Sequence, residues 1–543
     1  MKSAQVGGTE TFLNNVAGYF IDQDPAPILM VLPILELAES FSKERFALML
    51  RDTPQLKGKV KPVRAKDSNN TIMQKSFPGG NITFAGANSA ASLGSRPKRV
   101  LLLSEVDRYP DSAGTEGDPV QLAMKRSTTF FNRIAGMEST PTIKGASRIE
   151  VAFNQSDQRR YFVPCPNCKE YQVLKWENFT WEKTQDDEGK TIEHHPETTC
   201  YVCESCGSLI DESHRTVMLL KGEWRPTKTF NGVAGFHIWE AYSPWVRWGK
   251  IVETFLESKK LPETLKVFVN TSLGETWEES GDGVEKDPLM NRREHYAAEC
   301  PDGALVLTAS VDVQGDRLEI EWRGWGIDEE TWGIEKKVLY GDPTSRELWD
   351  HALDQAIQKT FKHESGVVLR AVCVTIDSGY LTEMVYQFCK KKQPARVYAT
   401  KGSSERGKPL LSKMSKNNKL GVRLFIIGTD TAKEIVYGRL QILEPGPGYC
   451  HFPMTYDEDY FDQLTAEQCV TRWSKGVARR IWELKKGKKR NEALDLFYGN
   501  YAALKILDPD FQSIKDNWIG WNNMVNGNMP QTSGRRVRSR GLS

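Results

Sequence analysis

The chain opens with MKSAQVGGTET, residues 1–11. A loop that cradles phosphate reads G-x-x-x-x-G-K-[ST]: backbone N–H groups surround the anion, a lysine reaches the terminal phosphates, and a hydroxyl serves Mg2+. Aligned on Thr9, this stretch has Gly7 and Thr9 in place, Gly8 in the lysine slot, and Lys2 where the first glycine would stand. A long side chain at the loop entrance can fold over the phosphates, and a helix beginning near Thr9 turns its positive end toward them. Lys2, Gln5, Gly7, Gly8 and Thr9 are therefore candidate ATP-binding residues. The plainer alternative is a frayed terminus with two glycines.

Working outward, Thr11 to Phe20 has helical spacing, and Asp24-Pro25-Ala26-Pro27 breaks it. Ile28 to Leu32 reads as a buried strand, Pro33 opens a helix to about Leu50, and Ile82 to Ala87 is a strand after the Gly79-Gly80 turn. Strands alternating with helices predict a parallel sheet. Arg99 to Asp107, RVLLLSEVD, is an apolar strand ending in acids, where one carboxylate positions Mg2+ and the next polarises the attacking water. Glu105 suits the second role, whereas the first falls on Ser104, which has no charge. Asp107 reads as a turn-capping acid before Tyr109-Pro110.

A length of 543 residues predicts about three domains. No apolar run approaches the ~20 residues of a membrane span, and the N-terminus lacks a secretion-signal pattern. The chain reads as cytosolic. A net charge of +2 excludes a global basic field, although residues 485–490 and 534–540 are locally basic.

Five of the ten cysteines lie between residues 165 and 206, a clustering that points to metal rather than disulfides. Cys165-Pro166-Asn167-Cys168 and Cys203-Glu204-Ser205-Cys206-Gly207 are two C-x-x-C knuckles at the spacing of a four-cysteine zinc site, and Gly207 suits the turn after the last ligand. Four thiolates leave no open position, so the site is structural. Cys200 is a spare, and His194 and His195 are expected in an exposed loop between the knuckles. Trp245, Trp248 and Trp277 read as packing residues.

Asp282 to Arg293 reads as a linker, followed by a second α/β domain with strands at Ala304 to Val313, Leu318 to Gly324, Val367 to Ile376 and Val422 to Ile427, and a helix at Asn491 to Leu507. Asp312 lies in a strand, Asp377 ends one, and Asp495 is on the helix, where Leu494, Phe497, Tyr498 and Tyr501 form the packing stripe. A charge in an apolar strand is costly unless paired or bound to metal. Three such carboxylates brought together hold two Mg2+ (or Mn2+) ions across a phosphodiester. Asp430 reads as a helix-start cap.

In order, KSAQVGGTE, FPGGNITFAGANS, LLLSEVDRYP, STPTIKGASRIE, RRYFVPCPNC, LTASVDVQGDRLEIEWRGWG, TIDSGY and RNEALDLFYGNYAAL resemble the lambda-type (GpA-like) large terminase subunits of tailed DNA phages, from Lys2 to about Leu507. The resemblance implies an α/β chain. Its expected parts are a P-loop ATPase core over residues 1–160, a zinc-ribbon-like insertion at 161–212, and the rest of the ATPase domain and linker at 213–285. An RNase H-like nuclease at 300–515 and a flexible basic tail at 516–543 follow. It implies ATP-driven packaging of double-stranded DNA and endonuclease cutting of concatemers in the host cytoplasm, with a small terminase subunit and a portal or procapsid as partners. Glu105 becomes the catalytic carboxylate of the ATPase, Ser139-Thr140-Pro141-Thr142 the motif coupling hydrolysis to movement, and Asp312, Asp377 and Asp495 the nuclease acids. Asp312 would bridge two metals, with Asp377 and Asp495 holding one each. The basic residues 485–490 and 401–419 would contact DNA phosphates.

Relatives carry Asp at the Ser104 position, many carry Lys at Gly8, and they begin several tens of residues earlier, with the first strand and the adenine-contacting segment. The ATPase domain is thus read as N-terminally truncated, and its activity is expected to be weak or absent. The rival readings are a nuclease-only or non-catalytic prophage remnant, and a transposase-like RNase H-fold nuclease.

Overall fold

The computed structural model describes residues 1–60, 70–94, 96–189, 191–278, 283–405, 407–416, 418, 420–474 and 477–525. The chain divides into two compact units, with Met1–Lys259 the bulk of one and residues 283–470 and 481–525 the bulk of the other. No helix among the described residues is long and apolar enough to cross a membrane.

The first unit is built on β1 (Ile28–Leu32), β2 (Gln74–Phe77), β3 (Gly80–Gly86), β4 (Val100–Ser104) and β5 (Ile134–Glu138), in the order β2-β3-β1-β4-β5. β1 pairs in parallel with β3 and β4, and β4 with β5, as the strand–helix alternation predicts. The sheet is not wholly parallel, because β2 joins β3 through a tight turn and pairs antiparallel at the edge. Every residue of β1 and β4 is buried. Ile28, Met30, Val100 and Leu102 feed one apolar cluster, and Leu29, Val31, Leu101 and Leu103 another on the opposite face. A parallel sheet covered on both faces needs such unbroken apolar runs.

Residues 160–212 hold more core than their cysteines and turns suggest. Val163, Cys165, Leu174, Phe179, Tyr201 and Cys203 pack with Trp239 and Trp248. His194 and His195 sit not in a loop but in the strand Thr191–Val202, which pairs antiparallel with Phe179–Gln185. Trp181 donates its ring N–H to His194 Nδ1 over 3.0 Å.

The second unit carries β6 (Val306–Val313), β7 (Arg317–Trp325), β8 (Thr331–Tyr340), β9 (Val368–Asp377), β10 (Val397–Ser403) and β11 (Leu424–Gly428), in the order β8-β7-β6-β9-β10-β11. The first three are antiparallel, and β9, β10 and β11 extend the sheet in parallel. Leu307, Ala309, Val311 and Val313 of β6 face one apolar cluster with Leu318, Ile320 and Trp322 of β7. The alternate residues face the helix Glu492–Leu507: Thr308 donates to Asn500 Oδ1 over 2.7 Å, and Thr375 of β9 to the Gly499 carbonyl over 2.9 Å.

Two expectations about connecting segments are corrected. The linker expected at Asp282 to Arg293 contains the helix Lys286–Met290 and buries Val284 and Leu289; residues 279–282 lie outside the described residues. The flexible tail expected from residue 516 begins with the helix Trp518–Val525, where partly buried Trp518 and Trp521 pack against Leu305, Val306 and Ile514. The basic residues 534–540 lie outside the described residues, as do 406, 417 and 419 of the 401–419 run.

Candidate active sites

Lys2 forms an isolated parallel bridge with Ile238. Lys2 donates its N–H to the Ser139 carbonyl over 3.1 Å just past β5, Ser3 to the Ile238 carbonyl over 2.9 Å, and Ala4 to the Thr271 carbonyl over 2.7 Å. The loop then turns through positive φ at Gln5 and Gly7 and enters a helix at Thr9. The Lys2 side chain lies across Gly8, so that a Cβ there would meet Lys2 Cδ at 2.6 Å and Cε at 2.8 Å. The glycine in the lysine slot is the space through which Lys2 reaches inward. Its Nζ ends 2.9 Å from Glu105 Oε1 and 3.1 Å from Glu138 Oε2. Burial alone would pull the ammonium down; Glu138 and Glu105 outweigh it and hold Lys2 above the usual lysine range.

Glu105 follows β4 at φ 53°, a left-handed conformation that a side-chain-bearing residue adopts only under constraint. Its Oε2 accepts from Thr140 Oγ1 at 3.2 Å and from the Thr140 N–H and Ser139 Oγ at 3.4 Å. The STPT segment thus touches the Glu105 carboxylate. Asp107, expected to cap the turn at Tyr109-Pro110, bonds to other segments. It accepts from Thr142 Oγ1 at 2.9 Å and from the Ile149 N–H at 2.8 Å, and burial raises its pKa. Trp248 is buried as expected and Trp277 half-buried, but Trp245 is 70% exposed, with its ring 3.1 Å from where a Cβ on Gly7 would lie.

The thiol sulfurs of Cys165, Cys168, Cys203 and Cys206 all lie within 4.8 Å of one another. The Cys168–Cys203 and Cys165–Cys206 separations are 3.8 and 4.0 Å. Metal–sulfur bonds of about 2.3 Å in a tetrahedron put sulfurs about 3.8 Å apart, so the donor set fits zinc. The knuckles repeat one backbone: the Lys169 N–H bonds the Cys165 carbonyl, and the Gly207 N–H the Cys203 carbonyl. Both residues are left-handed, at φ 68° and 69°. Ser208 donors pull the Cys206 thiol down to about 6. Cys200 lies outside this set, opposite Asp211 in a strand pair.

In the second unit, β6 and β9 pair through Val311 and Ile376, so Asp312 and Asp377, one residue on, share a face. The helix Glu492–Leu507 adds Asp495 to that face. Asp312 is held up at about 6, first by burial and further by Asp377, Glu319 and Glu492, against a 2.6 Å hydrogen bond from Gln314. Burial and then Asp312 push Asp495 well above the carboxylate range, and burial raises Asp377. Asp312 feels the charge of Asp377, and Asp495 that of Asp312, but among the described residues only the four cysteines have ligand atoms all within 4.8 Å of one another, so the three carboxylates face one region without forming so tight a donor set.

Several residues of this site escape a reading of the sequence. Tyr498, placed by its spacing in the packing stripe, is hydrogen-bonded to Asp495 and lies in the field of all three aspartates. Lys433 holds both oxygens of Glu467 at 2.8 and 2.6 Å, and Asn491 donates to Glu467 at 2.8 Å and to Asp495 at 3.3 Å. Asp430, in the first turn of the helix Thr429–Leu440, lies in the field of Lys433 and Glu467 and is raised by burial. Only the i,i+4 step from Asn491 to Asp495 was available as a local signal. The basic run 485–490 is partly consumed inside the fold: Lys485 bonds the Val284 carbonyl, Lys488 pairs with Asp462, and Arg490 with buried Glu319 and Glu492.

Residues 1–224 match the family described as phage terminase large subunit gpA, ATPase domain, and residues 233–518 the terminase large subunit gpA, endonuclease domain. The chain is 35% identical over 545 residues to the terminase large subunit of Enterobacteria phage P21, covering 93% of this chain and 82% of that protein. It is 34% identical over 546 residues to that of Escherichia phage lambda, with the same shares covered. Among solved structures, the HK97 bacteriophage large terminase covers 92% of this chain and 89% of its own at 10% identity and a TM-score of 0.31. The Thermus phage P74-26 large terminase ATPase domain covers 50% and 86% at 14% identity and a TM-score of 0.29.

Proposed function

This chain belongs to the gpA family of phage terminase large subunits, and we propose how its own residues divide the work of packaging and cutting DNA. It carries an ATPase domain and an endonuclease domain, which imply ATP, a divalent metal, DNA and the packaging machinery. In our reading, the ATPase core spans residues 1–160, the zinc-ribbon-like insertion 161–212 and the nuclease 300–515. The small terminase subunit and the portal of a procapsid in the host cytoplasm are the partners.

Gly8 and Ser104 raise an expectation of weak or absent turnover, but Lys2 lying across Gly8 offers the ammonium that slot lacks, and in this reading Lys2, Gln5, Gly7, Gly8 and Thr9 hold the triphosphate of a working site. Backbone N–H groups of the loop and the helix start surround the phosphates, and Lys2 neutralises them. Glu105 orients the attacking water and accepts its proton. Because the same carboxylate is bonded to Ser139 and Thr140, a change in its charge or position is transmitted to the strand end that carries them. Cys165, Cys168, Cys203 and Cys206 hold a structural zinc ion that stitches the two knuckles together.

In the nuclease, Asp312, Asp377 and Asp495 would hold the Mg2+ or Mn2+ ions. When bound, such ions supply Lewis-acid activation of water and stabilise the leaving oxygen. Tyr498 and Asn491 orient the Asp495 carboxylate, and Lys401, in the field of Asp377, draws the scissile phosphate toward the acids. Little sequence choice comes from such contacts, so cut-site selection falls to the partner.

The observation that carries the nuclease assignment is the β6–β9 register, which pairs Val311 with Ile376 and so sets Asp312 and Asp377 side by side one residue on, with Asp495 in the field of Asp312. Asp312→Asn in the full chain is expected to abolish Mg2+-dependent nicking of plasmid DNA while ATP turnover and the far-UV spectrum stay as in the parent. Nicking that survives the substitution refutes the assignment.

A further inference from the structure

We infer that Glu138 is the carboxylate that holds the nucleotide's divalent cation in this ATPase, in place of the uncharged Ser104. The inference rests on reading residues 2–9 as the phosphate loop.

ATP enters such a site as its magnesium complex, and the strand that should offer an acid to the metal ends at Ser104. A serine hydroxyl is a poor substitute for a carboxylate as partner of a hard dication. The acid is present one strand away. β4 and β5 are parallel, and their register sets Ser104 beside Glu138. The serine hydroxyl donates to Glu138 Oε1 over 2.6 Å, which fixes the carboxylate and leaves Oε2 pointing toward the loop. A Cβ on Gly8 would lie 3.8 Å from that Oε2, so Glu138 reaches the residue next to Thr9, whose hydroxyl is the loop's own metal ligand. An aspartate at 104 would face Glu138 as a buried like charge, and serine at this position removes the conflict.

A cation already marks the spot. The Lys2 ammonium lies between the two carboxylates, 2.9 Å from Glu105 Oε1 and 3.1 Å from Glu138 Oε2. Glu138 is only 7% exposed, and a buried carboxylate keeps its charge only beside a cation. When phosphates draw Lys2 away, Glu138 must be neutralised again, and the magnesium that arrives with them does so. Glu105, tied through its other oxygen to Thr140, remains free for the water.

Mn2+ binding to the full chain carrying Asp312→Asn, counted as the Mn2+ that saturating ADP adds and read by electron paramagnetic resonance, tests this, with every variant below made in that background and nucleotide affinity measured in parallel in Mg2+ and in EDTA. Glu138→Gln is expected to weaken Mn2+ by about 10- to 100-fold and to lose the Mg2+-dependent part of nucleotide affinity, while keeping the EDTA value. Glu105→Gln is expected to keep its Mn2+. Restoring the acid in Ser104→Asp/Glu138→Gln, or exchanging the pair in Ser104→Asp/Glu138→Ser, should bring Mn2+ back. The exchanged pair also serves if Glu138→Gln does not fold. Mn2+ affinity within about twofold of the parent in folded Glu138→Gln overturns the inference, as does an exchanged pair that binds no metal. A parent chain that binds no nucleotide in either buffer refutes the phosphate-loop reading itself.

Discussion

A Cβ placed on Gly499 would lie 2.0 Å from the Oγ of Ser310, so the helix Glu492–Leu507 rests directly on β6. That contact sets how near Asp495 comes to Asp312. Gly499→Ala must push the helix off the sheet, at about 1–3 kcal/mol for an overpacked core. A lower melting temperature and a loss of nicking larger than the loss of folded protein are expected. Adding Ser310→Gly should recover part of both, and a double variant no better than Gly499→Ala shows that the helix does not depend on this contact.

The acid cluster makes the metal-free protein sensitive to pH. Asp312 ionises near 6 in the folded chain against 3.8 for a free aspartate, and Asp377 and Asp495 are shifted the same way by burial. The folded state therefore binds more protons than the unfolded state across that window, and its stability falls as pH rises through it. In EDTA at neutral pH, Asp312→Asn is expected to be more stable than the parent by on the order of 1–3 kcal/mol, and the two should converge below pH ~4. Denaturant titrations at both pH values check this; a variant less stable than the parent at neutral pH contradicts it.

The four-thiolate cluster predicts about one zinc per purified chain by elemental analysis. Cys203→Ser should drop the content to less than about a tenth of that and lower the first unit's melting transition, because Cys165 and Cys203 belong to its core. Cys200→Ser, outside the cluster, should keep its zinc. Equal loss from both variants would mean that the metal sits elsewhere.

Lys2 and Gly8 are predicted to act as one device. A methyl on Gly8 meets Lys2 Cδ at 2.6 Å, so Gly8→Ala displaces the ammonium. Phosphate-release assays should show turnover falling by about tenfold or more for Gly8→Ala and by about 100- to 1000-fold for Lys2→Ala. The double variant should be no worse than Lys2→Ala alone, since residues that act as a unit are not additive. Fully additive losses would separate the two.

The sequence by itself determined the parts whose chemistry is local. Two C-x-x-C turns bring thiols to a metal through a few bonds of backbone, and a short unbroken apolar run such as Val100 to Leu103, ending in acids, reads as a covered strand. An aspartate at the end of such a strand announces itself by its cost. Tertiary structure decided everything that depends on which strand lies beside which. Glu138 has no meaning in the sequence until the β4–β5 register sets it against Ser104. Tyr498 looks like packing until the helix turns it onto Asp495, and Lys433, Glu467 and Asn491 come from three distant segments. The reason is range. Backbone hydrogen bonding and side-chain periodicity act over a few residues, whereas strand order, register and the closeness of a glycine-faced helix are set by packing summed over the whole domain.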